Sequence, residues 1–305
     1  MQRYILSSLT QAVVVLMGVL ILVFFMVRLT GDPAAAMLAR EASQEQIAAF
    51  RHQMGFDRPL IVQFFDFVAK ALAGNFGNSL HYRLPALPLV LERLPYTLYL
   101  AIMALIMAVA VAIPLGLIGG ANPNSTLDFI GRGVGLLGQT IPTFWLALVM
   151  IVVFAVWLHW FPTSGSQGAT AVLMPAFALS LGTMGRLVRL TRSSVLEIMG
   201  EDYIRTARSK GLADRLIFFR HALTNAAIPL ISVTTIQFGY TLGGSVIIES
   251  VFAWPGLGRL AADSIAIRDF PLVQAIAFFT SMVVIALTVL SDLLYAVFDP
   301  RIRYE

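Results

Sequence analysis

"TLYLAIMALIMAVAVAIPLGLI", residues 97–118, contains no charged side chain and only a few polar groups. A helix of about 20 apolar residues is long enough to cross the hydrocarbon core of a bilayer. Similar runs recur along the 305 residues, of which 58% are hydrophobic and only 12% are charged, and the mean hydropathy is +0.81. The sequence therefore predicts an all-α integral membrane protein that crosses the bilayer several times.

Six segments have the composition of membrane-spanning helices. We place them at Leu9–Leu29, Thr97–Ile118, Gly133–Phe161, Val172–Val188, Ala226–Ile248 and Leu272–Val297. The first resembles a signal peptide, with small residues at 34–36 where cleavage would occur, but its apolar part is too long for one. We therefore expect it to be retained as a helix. The chain shows no internal repeat or low-complexity linker, which predicts a single domain over residues 1–305.

Arginines flank the predicted spans unevenly. Arg3 precedes the first span, Arg132 lies between the second and third, and Arg301 follows the sixth, whereas the connection at 162–171 is uncharged. Because basic residues collect on the cytoplasmic side of a membrane, both termini are predicted to be cytoplasmic. The same bias accounts for the net charge of +4 and the pI near 9.6, so we expect no nucleic-acid partner.

Residues 31–96 form a long connection on the outer side and carry helix signals of their own. Ser43 and Gln46 make a capping box, Gly55 is suited to end that helix, and Pro59 opens a second helix that ends at Gly74. The apolar residues of the second helix fall on one face at helical spacing, and they are Leu60, Phe64, Val68 and Leu72. Periodicity alone fits a helical lid over the outer mouth and a hairpin on the bilayer surface equally well.

The residues present exclude several kinds of catalytic chemistry. The only lysines are Lys70 and Lys210, and neither lies in the G-x-x-x-x-G-K-[ST] motif that binds nucleotide phosphates. The chain has no cysteine and its four histidines lie in different segments, so no metal site and no resident cofactor are predicted. Ser164 has no aspartate nearby in sequence to complete a triad with His159, which argues against a serine protease. We therefore expect no catalytic residues and no hydrolysis of ATP by this chain.

The densest group of charges lies in residues 189–225, between the fourth and fifth predicted spans. Its central part, EDYIRTARSKGLADRLIFFRHA at 201–222, is compatible with two helices but too charged to enter lipid. A basic loop that contacts lipid headgroups would account for the positive charge. It would not account for the acidic residues, nor for Ala207 and Gly211, which would let a second protein approach closely. We therefore predict a protein-binding surface here, with a helix end at Gly211 and a second helix from about Asp214 to Thr224.

Several motifs, in the same order along the chain, resemble those of one transporter family. They are GDPA at 31–34, GNFGNS at 74–79, RLPYTLYL at 93–100, EDYIRTARSKGL at 201–212, RHALTNAAIPL at 220–230, FAWPGLGRL at 252–260, RDFPLVQ at 268–274 and DPRIR at 299–303. The family comprises the permease subunits in the dipeptide, oligopeptide and nickel branch of bacterial ABC importers. In the wider superfamily the cytoplasmic loop carries an E-A-A pattern followed by glycine. Here Arg205-Thr206-Ala207 stands in for E-A-A, and Gly211 fits the glycine.

This resemblance implies the type I ABC importer permease fold, with six transmembrane helices and a small extracytoplasmic insertion, 31–96, between the first two. It also implies that 189–225 couples the chain to ATPase subunits. The coupling residues carried over from the family loop are Glu201, Asp202, Tyr203, Arg205, Thr206, Ala207, Lys210, Gly211 and Leu212. The implied partners are a second, homologous permease in a heterodimer, two ATPase subunits that hold ATP and Mg, an extracytoplasmic solute-binding protein and the lipids of a bacterial inner membrane.

Polar side chains within the predicted spans indicate a path for the solute. Polar groups inside a membrane cost free energy unless they face protein or water. The candidates are Gln237, Thr241, Gly244 and Ser245 on one face of the fifth span, with Gln139 and Thr183 as weaker candidates from the third and fourth. Small and hydroxyl residues also serve plain helix packing, so that alternative stays open.

The sequence and the resemblance together predict the permease subunit of an ATP-driven ABC importer, forming half of a translocation pathway for peptides or a related small solute. The alternative is a self-sufficient secondary transporter or channel. Such a protein would need buried acidic residues at mid-span for its coupling ions, and no predicted span has one deep enough. The cargo stays open among dipeptides, oligopeptides, glutathione, nickel chelates and opines.

Overall fold

The computed structural model describes residues 2–29, 34, 38, 43–217 and 223–298. Within these residues the regular structure is helical, apart from one isolated antiparallel bridge between Asn78 and Pro85. The helices are α1 (Gln2–Leu29), α2 (Gln44–Met54), α3 (Leu60–Leu72), α4 (Ala86–Ala121), α5 (Thr126–Thr140), α6 (Thr143–Met150), α7 (Leu173–Gly200), α8 (Asp202–Ser209), α9 (Asp214–Ile217), α10 (Leu223–Val251), α11 (Leu257–Ala266) and α12 (Phe270–Phe298). The all-α prediction is confirmed for this part of the chain.

Two helices among the described residues are long and apolar enough to cross a membrane on their own. They are α4, which contains the second predicted span, and Phe270–Leu290 within α12. A third candidate arises if α5 and the segment Thr143–Trp157, which begins with α6, cross together as one bent pair. The helix α1 contains a shorter apolar stretch at Thr10–Met26. The first, fourth and fifth predicted spans fall within or largely within α1, α7 and α10.

The third predicted span, Gly133–Phe161, is divided between two helices. The axes of α5 and α6 are bent by 104° at Ile141 and Pro142. Pro142 has no amide hydrogen to continue the helix, and Ile141 before it adopts an extended conformation with φ −80° and ψ 121°. After α6 the chain continues as a π-helix over Ile151–Trp157. The apolar run therefore does not form one uninterrupted helix.

One compact unit comprises residues 1–95 and 259–286. Within it, α2 begins as the sequence predicts, because Ser43 Oγ accepts a hydrogen bond from the amide of Gln46 at 3.2 Å. In return, Gln46 Oε1 accepts from the amide of Ser43 at 2.9 Å. Gly55 ends the helix with a φ of 72°, in the left-handed region that favours glycine. The capping box and the glycine stop are both confirmed.

In the same unit, α3 packs against α1 through aromatic side chains. The ring of Phe64 lies 5.2 Å from that of Phe24, and the ring of Phe67 lies 5.8 Å from it. Leu60 and Leu72, from the same predicted face as Phe64, are 54% and 66% exposed. The packing face of α3 is therefore rotated toward Phe67 relative to the predicted one.

The second compact unit comprises residues 96–258 and 287–305, and α7 is the helix with which α5, α6 and α10 all pack. Glycine allows these close approaches. A Cβ at Gly120 of α4 would lie 2.6 Å from Cβ of Val195, and Gly138 of α5 lies directly against the backbone of α7. Larger side chains at these positions would separate α7 from its neighbours.

Candidate functional site

The predicted coupling segment begins where α7 ends. Glu201 adopts an extended conformation, with φ −69° and ψ 148°, and α8 follows it. The end of α8 is a Schellman turn, in which the amide of Gly211 donates to Arg208 O at 2.9 Å. The amide of Leu212 donates to Ala207 O at 3.3 Å. Gly211 has a φ of 77°, so glycine at this position allows the predicted helix end.

The inner side of α8 is attached to the rest of the chain by an apolar cluster. Ile204 and Ile217 are fully buried, and Ala207 is 8% exposed. These three side chains pack with Ile198 and Met199 at the end of α7. Ala207 was predicted to make room for a partner protein. Its side chain instead lies in this cluster, where it can act on a partner only by positioning α8.

The outer side of the segment carries the other predicted coupling residues. Glu201, Asp202, Tyr203, Arg205, Thr206, Lys210 and Gly211 are exposed, and Leu212 is half-buried. Arg208, which the prediction omitted, is exposed as well, and its spacing of three residues from Arg205 would have revealed it. Arg205 and Asp202 form an ion pair 3.2 Å apart, but both are largely exposed, so the pair adds little stability. The result is a mixed-charge surface around the ring of Tyr203.

The second helix that the sequence predicts, from about Asp214 to Thr224, is only partly accounted for. The structure has α9 over Asp214–Ile217, and residues 218–222 lie outside the described residues. The next helix, α10, already begins at Leu223. The prediction is therefore confirmed for its first turn.

A buried ion pair, which the sequence reasoning missed, joins the start of α5 to the last third of α7. Arg192 donates from Nε to Asp128 Oδ1 at 2.5 Å and from Nη2 to Oδ2 at 3.1 Å. The amide of Asn124 donates to the same carboxylate at 2.9 Å, and Asp128 is fully buried. Both charged residues lie outside the predicted spans. The ion pair therefore attaches the start of α5 to α7.

The polar stripe predicted to line a pathway lies mostly inside the chain. Gln237, Thr241 and Ser245 of α10 are 7%, 5% and 1% exposed. Thr183 Oγ1 of α7 lies 3.5 Å from Thr241 Oγ1, and Thr183 is buried as well. Gln237 Oε1 is buried and has no hydrogen-bond partner among the residues that the structure describes. We call Thr183, Gln237, Thr241 and Ser245 the polar seam; in this conformation it lies on the packed side of α10.

The two other predicted pathway residues are exposed. Gly244 is accessible, although a Cβ there would lie 3.9 Å from Leu179 Cδ1 of α7. Gln139 of α5 is accessible too, and its Nε2 donates to Gly135 O at 3.3 Å. The predicted set is therefore not gathered on one surface in this conformation.

The face of α10 opposite the polar seam is exposed, and we call it the open face. Ile236, Tyr240 and Ile247 are 55%, 69% and 52% exposed. A Cβ added at Gly239 or Gly243 would meet no atom of the described chain within 4 Å. The exposed face of α10 is therefore formed by apolar side chains and glycines, and it also carries the hydroxyl group of Tyr240. Periodicity grouped the polar residues correctly but could not tell which face packs inside the chain.

A buried carboxylate lies beside the loop that carries the FAWPGLGRL motif. Glu249 at the end of α10 is fully buried and accepts a hydrogen bond from Thr97 Oγ1 at 2.8 Å. Thr97 Oγ1 accepts in turn from the amide of Leu257 at 2.7 Å. A Cβ at Gly256 would collide with the carboxylate, so glycine there leaves the space that Glu249 occupies. Nowhere among the described residues do three His, Asp or Glu side chains lie close enough together to hold a metal ion.

The chain is similar along its whole length to proteins of one transport family. Residues 112–304 match the family model described as "Binding-protein-dependent transport system inner membrane component", and residues 1–101 match "Binding-prot-dependent transport system membrane comp, N-term". The glutathione transport system permease protein GsiC of Salmonella typhimurium is 37% identical over 306 residues. The oligopeptide transport system permease protein AppB of Bacillus subtilis is 34% identical over 316 residues. Each alignment covers 100% of both chains.

Solved structures of ABC transporters share the fold. An inward-facing structure of the MetNI methionine ABC transporter aligns with a TM-score of 0.57 at 18% identity, covering 69% of this chain and 96% of that chain. The structure of an amino acid ABC transporter with histidines aligns with a TM-score of 0.55 at 18% identity, covering 68% of this chain and 94% of that chain. At this level of identity the likeness concerns the fold.

Proposed function

We propose that this chain, which belongs to the family of binding-protein-dependent transport system inner membrane components, couples to the ATPase subunits of its importer through the outer side of α8. The chain is a permease subunit of an ABC importer and an integral membrane protein. The observation that carries the coupling proposal is the exposed mixed-charge surface of α8, which Ile204, Ala207 and Ile217 hold against the end of α7. A helix attached in this way moves α7 when a partner moves it.

The complex that we propose contains a second, homologous permease, two ATPase subunits and an extracytoplasmic solute-binding protein. ATP and Mg are bound by the ATPases, because this chain lacks the G-x-x-x-x-G-K-[ST] motif. Six spans cross a bacterial inner membrane, both termini are cytoplasmic, and the 31–96 insertion is extracytoplasmic. The arginine distribution supports this orientation.

ATP binding closes the ATPases, displaces α8 and switches the pathway from inward-facing to outward-facing; hydrolysis resets it. We propose that the polar seam is uncovered during this cycle, together with Gly244 and Gln139. The support is Gln237 Oε1, which has no partner among the described residues, since a buried acceptor without a partner costs about 1–3 kcal/mol that contact with water would recover. Thr183 lies on α7, the helix that ends at the coupling segment, so a movement of α8 reaches the seam directly.

We propose a peptide or a related small solute as the cargo. Of the two relatives, one is named for glutathione and the other for oligopeptides, and both align with this chain from end to end. The seam and the open face of α10 carry no formal charge, which suits a pathway whose selectivity resides in the solute-binding protein. Measuring the ligand of the binding protein encoded beside this chain would identify the cargo.

The coupling proposal is tested with the complete complex in lipid nanodiscs, by measuring ATP hydrolysis stimulated by the liganded binding protein. Tyr203→Ala and Arg205→Glu should each lower the stimulated rate at least tenfold, since aromatic and arginine side chains dominate protein interfaces. Both positions are exposed, so the stability of the chain should change by less than about 0.5 kcal/mol.

The matched control is Arg51→Glu, a charge reversal at an exposed arginine of α2, which should leave the stimulated rate unchanged. Unaltered stimulation in both α8 variants would show that α8 is not the docking surface. Uptake by the chain alone, driven by an ion gradient without ATP, would show instead that the chain is a secondary transporter.

A further inference from the structure

The unit of residues 1–95 and 259–286 contains a cavity of about 680 Å³ that none of the roles above uses. Its walls come from α1, the α2–α3 turn, α3, the loop at 75–83 and the first turns of α12. The volume lies within the roughly 300–1,000 Å³ typical of sites for small ligands. Two of the order-matched motifs, GNFGNS and RDFPLVQ, meet at this cavity. The motifs therefore have a common structural role here that the coupling function does not explain.

Aromatic side chains form the apolar part of the cavity wall. Phe24 is fully buried and Phe76 is 7% exposed, so both are held in place by packing. The ring of Phe24 lies 5.8 Å from that of Phe67, and the ring of Phe76 lies 5.3 Å from that of Phe278. These rings provide a firm apolar surface against which a ligand side chain can pack.

The polar part of the wall has an excess of positive charge. Arg58, Lys70, Arg83 and Asp66 all line the cavity. Lys70 and Asp66 pair with each other at 2.7 Å. Neither arginine takes part in an ion pair among the described residues, and the carboxylate next to Arg58, that of Asp57, is hydrogen-bonded by His52. Two guanidinium groups are therefore available to an anionic ligand.

Arg83 is held at the cavity by an unusual backbone conformation. Its φ is 56°, in the left-handed region that residues other than glycine seldom adopt. The turn around it is built on Ser79, whose Oγ donates to the buried carboxylate of Asp269 and accepts from the amide of Tyr82 at 3.0 Å. The amide of Arg83 donates to Ser79 O at 3.0 Å. Such strain persists where the surrounding structure determines the conformation.

We propose that this cavity binds a small peptide-like zwitterion with an apolar side group. Arg58 and Arg83 receive the carboxylate, because the planar guanidinium group matches a carboxylate with paired hydrogen bonds. Asp66, whose Oδ2 is bound by Lys70, offers its other carboxylate oxygen to the ammonium group, and the rings of Phe67 and Phe76 receive the side group. The proposal depends on the proposed function only for the side of the membrane from which the ligand arrives.

The test measures binding of radiolabelled alanyl-phenylalanine to the full chain in nanodiscs by equilibrium dialysis. The matched probe is the same dipeptide with a C-terminal amide in place of the carboxylate. The acid should bind at least tenfold more tightly, which corresponds to about 1.4 kcal/mol. This comparison requires no variant, so it stays informative even if a substitution disturbs folding.

Arg58→Gln and Arg83→Gln should each weaken binding of the acid about tenfold and leave binding of the amide nearly unchanged. Arg51→Gln removes the same charge from α2 outside the cavity wall, and it should have no effect. Equal affinity for acid and amide, or unaltered affinity in both cavity variants, would overturn the proposal. Binding of oleate where the dipeptide fails to bind would overturn it too, and would assign the cavity to lipid.

The outcome is independent of the coupling test, because no ATPase subunit or binding protein is present in the dialysis. Loss of dipeptide binding in Arg83→Gln with normal stimulation of the ATPases by α8 would separate the two sites. A chain that binds the dipeptide but fails to stimulate the ATPases would contradict the coupling proposal alone.

Discussion

The stability effects of substitutions at Gly256, in the FAWPGLGRL loop, and at the buried Glu249 beside it should be coupled. A Cβ at Gly256 would collide with the Glu249 carboxylate, which is fully buried and bound by the Thr97 hydroxyl at 2.8 Å. Gly256→Ala must therefore displace the carboxylate, and overpacking of this kind costs about 1–3 kcal/mol. Glu249→Ala leaves the buried Thr97 hydroxyl without its acceptor and should cost about 1–3 kcal/mol.

The double variant should cost less than the sum of the two single ones. Once Glu249 is shortened to alanine, the methyl group at position 256 enters space that the carboxylate has left. We expect a coupling free energy of about 1–3 kcal/mol in favour of the double variant, close to the whole cost of Gly256→Ala alone. The assay is the free energy of unfolding, measured by SDS titration in mixed micelles for the wild type, both single variants and the double variant.

Gly258 supplies the matched control. A Cβ there would lie 2.6 Å from Val246 Cα and 2.9 Å from Glu249 Oε2, and the clash with the backbone atom stays in place whatever residue stands at 249. Gly258→Ala should therefore remain costly in the Glu249→Ala background. Additive costs for the pair at 249 and 256, or equal rescue of both glycine variants, would refute the reasoning that Glu249 fills the space beside Gly256.

Three further predictions concern the ion pair, the helix end and the cavity. Asp128→Asn should lower the free energy of unfolding by at most about 3 kcal/mol, since Arg192 is 25% exposed, and adding Arg192→Gln should recover most of the loss in the same SDS titration. Gly211→Ala should destabilise the end of α8 by about 1 kcal/mol, seen as faster amide hydrogen exchange, whereas Gly200→Ala, at helical φ with open space around it, should not. Ser79→Ala should lower the free energy of unfolding by about 1–3 kcal/mol and weaken binding of alanyl-phenylalanine, measured by dialysis, because its buried aspartate partner loses a donor.

Local features of this chain could be predicted because their causes lie within a few residues of each other. The capping box needs only Ser43 and Gln46, three positions apart, and each accepts a hydrogen bond from the other's backbone amide. Gly55 and Gly211 end their helices because both have the left-handed φ that glycine tolerates. The helix break at Pro142 also has a local cause. It is missed when hydropathy is averaged over a long apolar window, because one proline hardly changes the average.

Features that depend on contacts between distant segments could not be predicted in the same way. Asp128 and Arg192 are 64 positions apart, and no spacing rule links them. Helical periodicity assigns Gln237 and Thr241 to one face but does not tell whether a neighbouring helix covers that face. The same limit applies to Ala207, whose small side chain suits a partner surface and an internal cluster equally well.

The Asp128–Arg192 pair attaches α5 to α7 between Thr183 of the polar seam and the end of α7 that joins α8. Arg192 lies eight residues before the end of α7 at Gly200 and nine residues after Thr183, which at 1.5 Å per residue makes arms of about 12 Å and about 14 Å. Shifts of about 1–2 Å are usual when helices move in switching transitions. If the ion pair acts as the fulcrum, a push of about 2 Å on α8 swings Thr183 by a similar distance in the opposite direction. The displacement that the ATPases produce would then reach the polar seam with about the same size and in the opposite direction.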